Sequence, residues 1–223
     1  VLSNVKNLKF IATATTGLDH IDIDFAKSKG IQILSIKDER EFLDGITGTA
    51  ELAFGLLLDL LRNISSSFES VKKGRWDREV YRGYSLKGKT LGIVGLGRLG
   101  SMMARYAQVF GMKVIAHDPN LDRDVFVKKG VKETSFTDLL QKSDIVSLHL
   151  HLNKGSKGLI GKDELKMMKE GAWLINTSRG DIVDENSIIG ALENKQIGGY
   201  ATDVLVGEVD FQVDLIKGNK TGF

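Results

Sequence analysis

The sequence has 223 residues, of which 42% are hydrophobic and 27% charged, with a formal net charge of +2. That balance suits a globular chain able to bury a core, and it excludes the strongly basic footprint of a nucleic-acid binder. The absence of cysteine excludes disulfides and thiolate metal sites and fits a reducing cytoplasm. The first ten residues lack the charged, apolar and small-residue pattern of a signal peptide. The longest apolar stretch, Leu52 to Leu61, is interrupted by Asp59 and is too short to span a bilayer.

In chain order, Leu8 to Ala14 reads as a buried strand, Thr16-Gly17 as a turn, Ile21 to Lys29 as a short helix and Ile31 to Ile36 as a strand. Lys37 to Gly45 is polar and reads as a hinge. Thr49 to Lys73 reads as one long helix with Glu51 in its first turn, where an acid favours the helix dipole. Gly74 to Lys89 reads as an irregular crossover. From Thr90 strands and helices alternate. The strands are Leu91–Val94, Lys113–His117, Asp144–Leu150, Ala172–Thr177 and Tyr200–Val204. The helices are Leu99–Phe110, Thr137–Gln141, Lys162–Lys169 and Glu185–Asn194. Strands this apolar, separated by helices, imply an α/β protein with a parallel sheet covered on both faces.

Thr90 to Asp118 carries the clearest chemistry. A strand runs into Gly95-Leu96-Gly97-Arg98-Leu99-Gly100, then into a helix and a second strand that ends at Asp118. In such a unit the first glycine makes the tight turn. The second lets backbone approach a pyrophosphate, and the third lets helix and strand lie close. The helix N-terminus offers free N–H groups and partial positive charge to phosphates. Asp118 stands 18 residues past Gly100. A carboxylate there can bond both ribose hydroxyls and repels a 2′-phosphate, which favours NAD over NADP. The alternative is a plain strand-to-helix turn.

Ligands of such sheets bind beyond the carboxyl ends of the strands. Those ends carry Gly95, Asp118, His149, Ser178-Arg179 and Asp203. A guanidinium at Arg179 can grip a carboxylate or ketone oxygen with two parallel hydrogen bonds. The alternative is a surface arginine capping the next helix. Glu208 follows 29 residues later and could be an ordinary solvated loop acid.

These residues resemble the D-isomer-specific 2-hydroxyacid dehydrogenases. The likeness covers TTGLDHID at 15–22, GTAELAFGLLL at 48–58, GLGRLG at 95–100 and SDIVSLHL at 143–150. It continues through MKEGAWLINTSRGDIVDENSIIGAL at 168–192 and GGYATDVLVGE at 198–208. The resemblance implies a Rossmann-type doubly wound parallel sheet at 46–223, missing its C-terminal return, after a remnant of a flavodoxin-like substrate domain at 1–45. It implies NAD as cofactor and a small 2-hydroxy or 2-keto acid as substrate, phosphoglycerate being the leading candidate. A homodimer is implied too, with the region of the apolar helix Leu52–Leu61 helping to build it.

Residue by residue, Arg179 matches the substrate-binding, carbonyl-polarising arginine. Glu208 matches the glutamate that raises the pKa of a catalytic histidine. Thr16 and Gly17 match the loop that holds the substrate carboxylate. Asp203, Thr49, Thr177 and Ser178 match positions on the cofactor side, as does His149. The glycine segment Gly95, Leu96, Gly97, Arg98, Leu99 and Gly100, with Asp118, matches the cofactor grip.

The family's general acid/base histidine stands in a Pro-His context, and no Pro-His dipeptide occurs here. None of His20, His117, His149 and His151 replaces it convincingly, and His151 stands where the family usually has proline. The resemblance therefore predicts a chain truncated at both ends and catalytically incomplete. The competing function is an NADH-binding interaction module without turnover.

Overall fold

The computed structural model describes residues 7–18 and 20–207. The chain divides into two compact units, Val1–Thr47 and Gly48–Phe223.

In the first unit, β1 (Phe10–Thr13) and β2 (Gln32–Ser35) pair in parallel through the crossover helix α1 (Ile23–Ser28). Asp22 caps α1 by accepting the Phe25 N–H at 2.9 Å, and the chain leaves the helix through Gly30 at φ 68°. The polar stretch read as a hinge instead contains a helix, α2 (Arg40–Asp44), which turns Leu43 inward to 6% exposure. One buried leucine in five residues is too short a period to stand out in a charged segment. Phe10, Leu34 and Phe42 stay more than half exposed.

The second unit opens with α3 (Gly48–Arg62) and α4 (Ile64–Lys72). The single long helix expected here is broken at Asn63, which sits in the left-handed region at φ 54°, ψ 39°. Asparagine tolerates that region better than most residues. The carboxylate of Asp59 fixes the break by accepting the Ser65 N–H at 2.6 Å and hydroxyl at 2.7 Å.

The parallel sheet follows. Its elements are β3 (Thr90–Val94), α5 (Arg98–Val109), β4 (Lys113–His117), α6 (Arg123–Lys128), β5 (Lys132–Glu133), α7 (Phe136–Lys142), β6 (Ile145–Leu148), α8 (Lys162–Met167), β7 (Ala172–Asn176), α9 (Glu185–Glu193) and β8 (Ile197–Thr202). The small elements α6 and β5 were not expected from the sequence, and β8 begins at Ile197 rather than Tyr200 because Gly198-Gly199 does not read as strand.

The strand order is β5-β4-β3-β6-β7-β8, all parallel. One face packs on α3, α5 and α6 through Leu57, Leu61, Met103 and Phe126. The other packs on α7, α8 and α9 through Leu139, Leu165 and Ile188. The chain direction of strand addition reverses between β3 and β6. That is the switch point at which an open α/β sheet forms its crevice.

Candidate functional site

The glycine turn leaves β3 at this switch point. Gly95 has φ 91°, and a Cβ there would stand 2.4 Å from the His149 carbonyl at the end of β6. Only glycine fits both the left-handed backbone and that contact. A Cβ on Gly100 would stand 2.1 Å from the Gly95 carbonyl, so α5 presses on the turn that precedes it. Gly97 is different: a Cβ there would meet nothing within 4 Å. It is also the residue before α5, and no side chain caps the helix. Leu96 is buried in the core, while Arg98 and Leu99 lie half-buried in the first turn.

Asp118, just past β4, accepts the Leu96 N–H at 2.9 Å and the Asn120 N–H at 3.1 Å, one on each carboxylate oxygen. The acid thus sits directly across the glycine turn with lone pairs to spare. Beside it opens a cavity of about 320 Å³ lined by His117, Asp118, Pro119, Glu133, Thr134 and Ser135. His117 Nδ1 lies 3.1 Å from the Thr134 carbonyl, which can only accept, so Nδ1 donates there. A helix start with no side-chain cap, bare backbone at Gly97 and an acid across the turn fit the phosphates and ribose of a dinucleotide.

At the end of β6, His149 Nε2 is 2.9 Å from the Ser147 hydroxyl, and its Nδ1 is shut off from solvent without a hydrogen-bond partner. Burial lowers its pKa to about 4, so the imidazole is neutral at pH 7. At the end of β7 the fully buried Asn176 shapes the turn: its amide donates to the Arg179 carbonyl at 2.9 Å, and its Oδ1 accepts the Ser178 N–H at 3.1 Å. The Ser178 hydroxyl donates to the Leu148 carbonyl at 2.7 Å and accepts the Leu150 N–H at 3.2 Å, which ties β7 to β6. The Thr177 hydroxyl is buried without a partner. Arg179 is half-buried, and its guanidinium donates to the Ser178 carbonyl at 2.7 Å.

At the end of β8, the Thr202 hydroxyl bonds the Asn176 carbonyl at 2.8 Å, and Asp203 is exposed. Burial raises the pKa of Tyr200 on the same strand, with the carboxylates of Glu185 and Asp203 adding to the rise.

Gly95, Asp118, His149, Ser178, Arg179 and Asp203 therefore stand on successive strand ends along one edge of the sheet. Thr49 is half-buried in the first turn of α3, which packs on β7 and β8. Thr16 and Gly17 lie in the first unit, in the loop after β1, where the Thr15 hydroxyl donates to the Gly17 carbonyl at 2.8 Å. Glu208 lies outside the described residues. Sequence reasoning missed Asn176, Thr202 and Glu185 as shaping residues, and Glu133 to Ser135 as cavity walls. Only a polar residue ending an apolar strand, at Asn176, could have signalled the first.

Residues 54–219 match the NAD binding domain of the D-isomer specific 2-hydroxyacid dehydrogenases, and residues 1–40 match the catalytic domain of that family. The chain is 39% identical over 214 residues to D-3-phosphoglycerate dehydrogenase of Bacillus subtilis, covering 96% of this chain and 39% of that protein. It is 39% identical over 226 residues to glyoxylate reductase of Thermococcus litoralis, covering 97% and 66%. The structure of D-lactate dehydrogenase from Aquifex aeolicus complexed with NAD and lactic acid superposes with a TM-score of 0.83 at 34% identity, covering 100% of this chain and 64% of that one. The chain thus spans less than two thirds of each of these relatives. It belongs to the D-isomer specific 2-hydroxyacid dehydrogenase family, and its larger unit is that family's NAD-binding domain.

Proposed function

We propose that this chain serves an NAD-dependent oxidoreductase that interconverts a D-2-hydroxy acid and its 2-keto acid, with 3-phosphoglycerate as the leading substrate. The observation that carries the reading is the Asp118 carboxylate seated on the Leu96 N–H across an uncapped helix start at the sheet's switch point. Gly97 and the first N–H groups of α5 take the pyrophosphate. Asp118 takes the ribose hydroxyls and disfavours a 2′-phosphate, and the neighbouring cavity suits the adenosine end.

When bound, the nicotinamide cofactor supplies or accepts the hydride. Arg179 grips the substrate and polarises its carbonyl; Thr16 and Gly17 hold the substrate carboxylate through backbone N–H groups. Thr49, Thr177, Ser178 and Asp203 serve the cofactor side. Glu208 is assigned to hold a histidine cationic so that it can protonate the keto acid. His149, with its pKa near 4, cannot be that histidine at neutral pH.

Titrating the protein with NADH and following nicotinamide fluorescence tests the reading. Asp118→Ala should weaken NADH about tenfold or more, since it removes the ribose acceptor. Unchanged affinity would refute the assignment. Binding of NADH with no reduction of any 2-keto acid, even after a Pro-His tail is appended, would favour the interaction-module reading.

The same proposal includes a cytoplasmic homodimer. Its support is the cysteine-free sequence and the exposed apolar residues on α3 and at the end of α5. Leu52, Val109 and Phe110 are 45%, 85% and 46% exposed, and the Phe110 ring makes a tilted contact with Phe54 at 4.8 Å between centroids. Light scattering at micromolar concentration should give twice the chain mass; a monomer mass would refute it.

A further inference from the structure

We propose that Glu185 is a positioning residue that fixes the segment 203–207 against the Arg179 turn. Glu185 is the first residue of α9, but its own helix does not need it as a cap. Asp184 already does that, accepting the N–H groups of Asn186 at 3.0 Å and Ser187 at 3.3 Å. The Glu185 carboxylate instead reaches 21 residues ahead and accepts the Val206 N–H at 2.8 Å.

What that bond holds in place is unusual. The backbone of Leu205 and Val206 runs so close to Gly180 that a Cβ there would stand 2.1 Å from the Leu205 carbonyl carbon and 2.4 Å from the Val206 nitrogen. Gly180 immediately follows Arg179. The segment is thus wedged against the arginine turn on one side and hooked by Glu185 on the other. Thr202 anchors its near end, accepting the Val204 N–H at 3.1 Å and donating to the Asn176 carbonyl. Asn176 in turn holds the Arg179 carbonyl. Glu185 therefore acts through backbone contacts on the turn that carries the group that grips substrate. A charged acceptor is the strong form of such a hook, and a neutral oxygen at the same place is a weaker form.

The inference rests on the reading of Arg179 as the substrate grip, and two arms of one experiment separate the two. The first arm is hydrogen exchange of the protein alone. Glu185→Ala should speed exchange of the Val206 amide about tenfold or more while the β3 and β6 amides stay protected, and Glu185→Gln should largely restore protection. The second arm is binding of oxamate, an unreactive 2-keto acid analogue, to the NADH complex. Glu185→Ala should weaken oxamate about tenfold with NADH affinity unchanged, and Glu185→Gln should recover most of it. Unchanged Val206 exchange in Glu185→Ala would overturn the proposal. So would equal losses of oxamate and NADH that Glu185→Gln does not rescue. A wild-type protein that binds NADH but no oxamate would overturn the reading of Arg179, while the exchange arm would still decide whether Glu185 holds the segment.

Discussion

The turn after β3 and the turn after β7 lie on the same edge of the sheet and are built in opposite ways. The first is made by removing side chains. Gly95 lies against the His149 carbonyl and Gly100 against the Gly95 carbonyl, with no room for a Cβ at either, and Gly97 leaves the surface bare. The second is made by adding them: Asn176, Ser178 and Thr202 each spend their polar atoms on backbone of the same or neighbouring strand ends. At Gly95 and Gly100 the first turn tolerates no added atom, whereas at Asn176 and Ser178 the second tolerates no lost hydrogen bond.

The harshest way to break this contrast is Gly100→Ala. Its new methyl has backbone, not a flexible side chain, at 2.1 Å, so α5 must move. The expected cost is about 3 kcal/mol in a urea melt, together with weakened NADH binding. Gly97→Ala is the control: with open space around the Cβ it should leave the melt unchanged and act on NADH alone. If both variants melt alike, the close contact at Gly100 does not set the turn.

Acid probes the point where the two turns meet, at His149. Its folded pKa of about 4 lies below the ordinary 6.5, so the unfolded chain binds more protons between those values. The contribution of the neutral imidazole is complete above pH 6.5 and is lost as pH falls towards 4, a loss of about 3 kcal/mol. Urea midpoints measured across that window should fall, and His149→Asn should flatten the slope. Asp144 does not confuse the result. Burial pushes its carboxyl up, but Lys169 and the Thr90 N–H win and hold it below 3.8, so its own loss sets in only below about pH 5 and leaves the upper part of the window to His149.

The mildest test falls on the polar turn. Asn176→Ala leaves the Arg179 carbonyl and the Ser178 N–H without their partner in a buried place, for about 2 kcal/mol. Binding of oxamate to the NADH complex should suffer more than NADH affinity. Equal loss of both would mean that the turn supports the whole sheet edge rather than Arg179.

The same contrast explains what could be read from the sequence. A glycine turn advertises itself, because the spacing of Gly95, Gly97 and Gly100 between two apolar runs is local. The alternating pattern from Thr90 onward likewise gave the main strands of the sheet. The bracing of Arg179 is not local: Glu185 and Val206 meet only because β8 returns beside β7. Short elements failed for a related reason. Lys132–Glu133 is a strand because Ile115 and Ala116 lie beside it, not because of its own two residues. Asn63 broke a helix whose apolar spacing ran on unbroken through the bend, since one left-handed residue leaves no trace in a hydrophobic period.

The rims of the sheet carry a consequence for crowded solutions. A strand with free ladder groups can recruit a stranger's strand and begin to aggregate. Among the described residues the sheet ends in β5 on one side and β8 on the other. The first offers two residues, too few to template a partner. The second carries adjacent glycines at 198 and 199 just after its first residue, and these favour no extended neighbour and supply no side chains to pair across strands. Shortness guards one rim and glycine weakens the other as a seed.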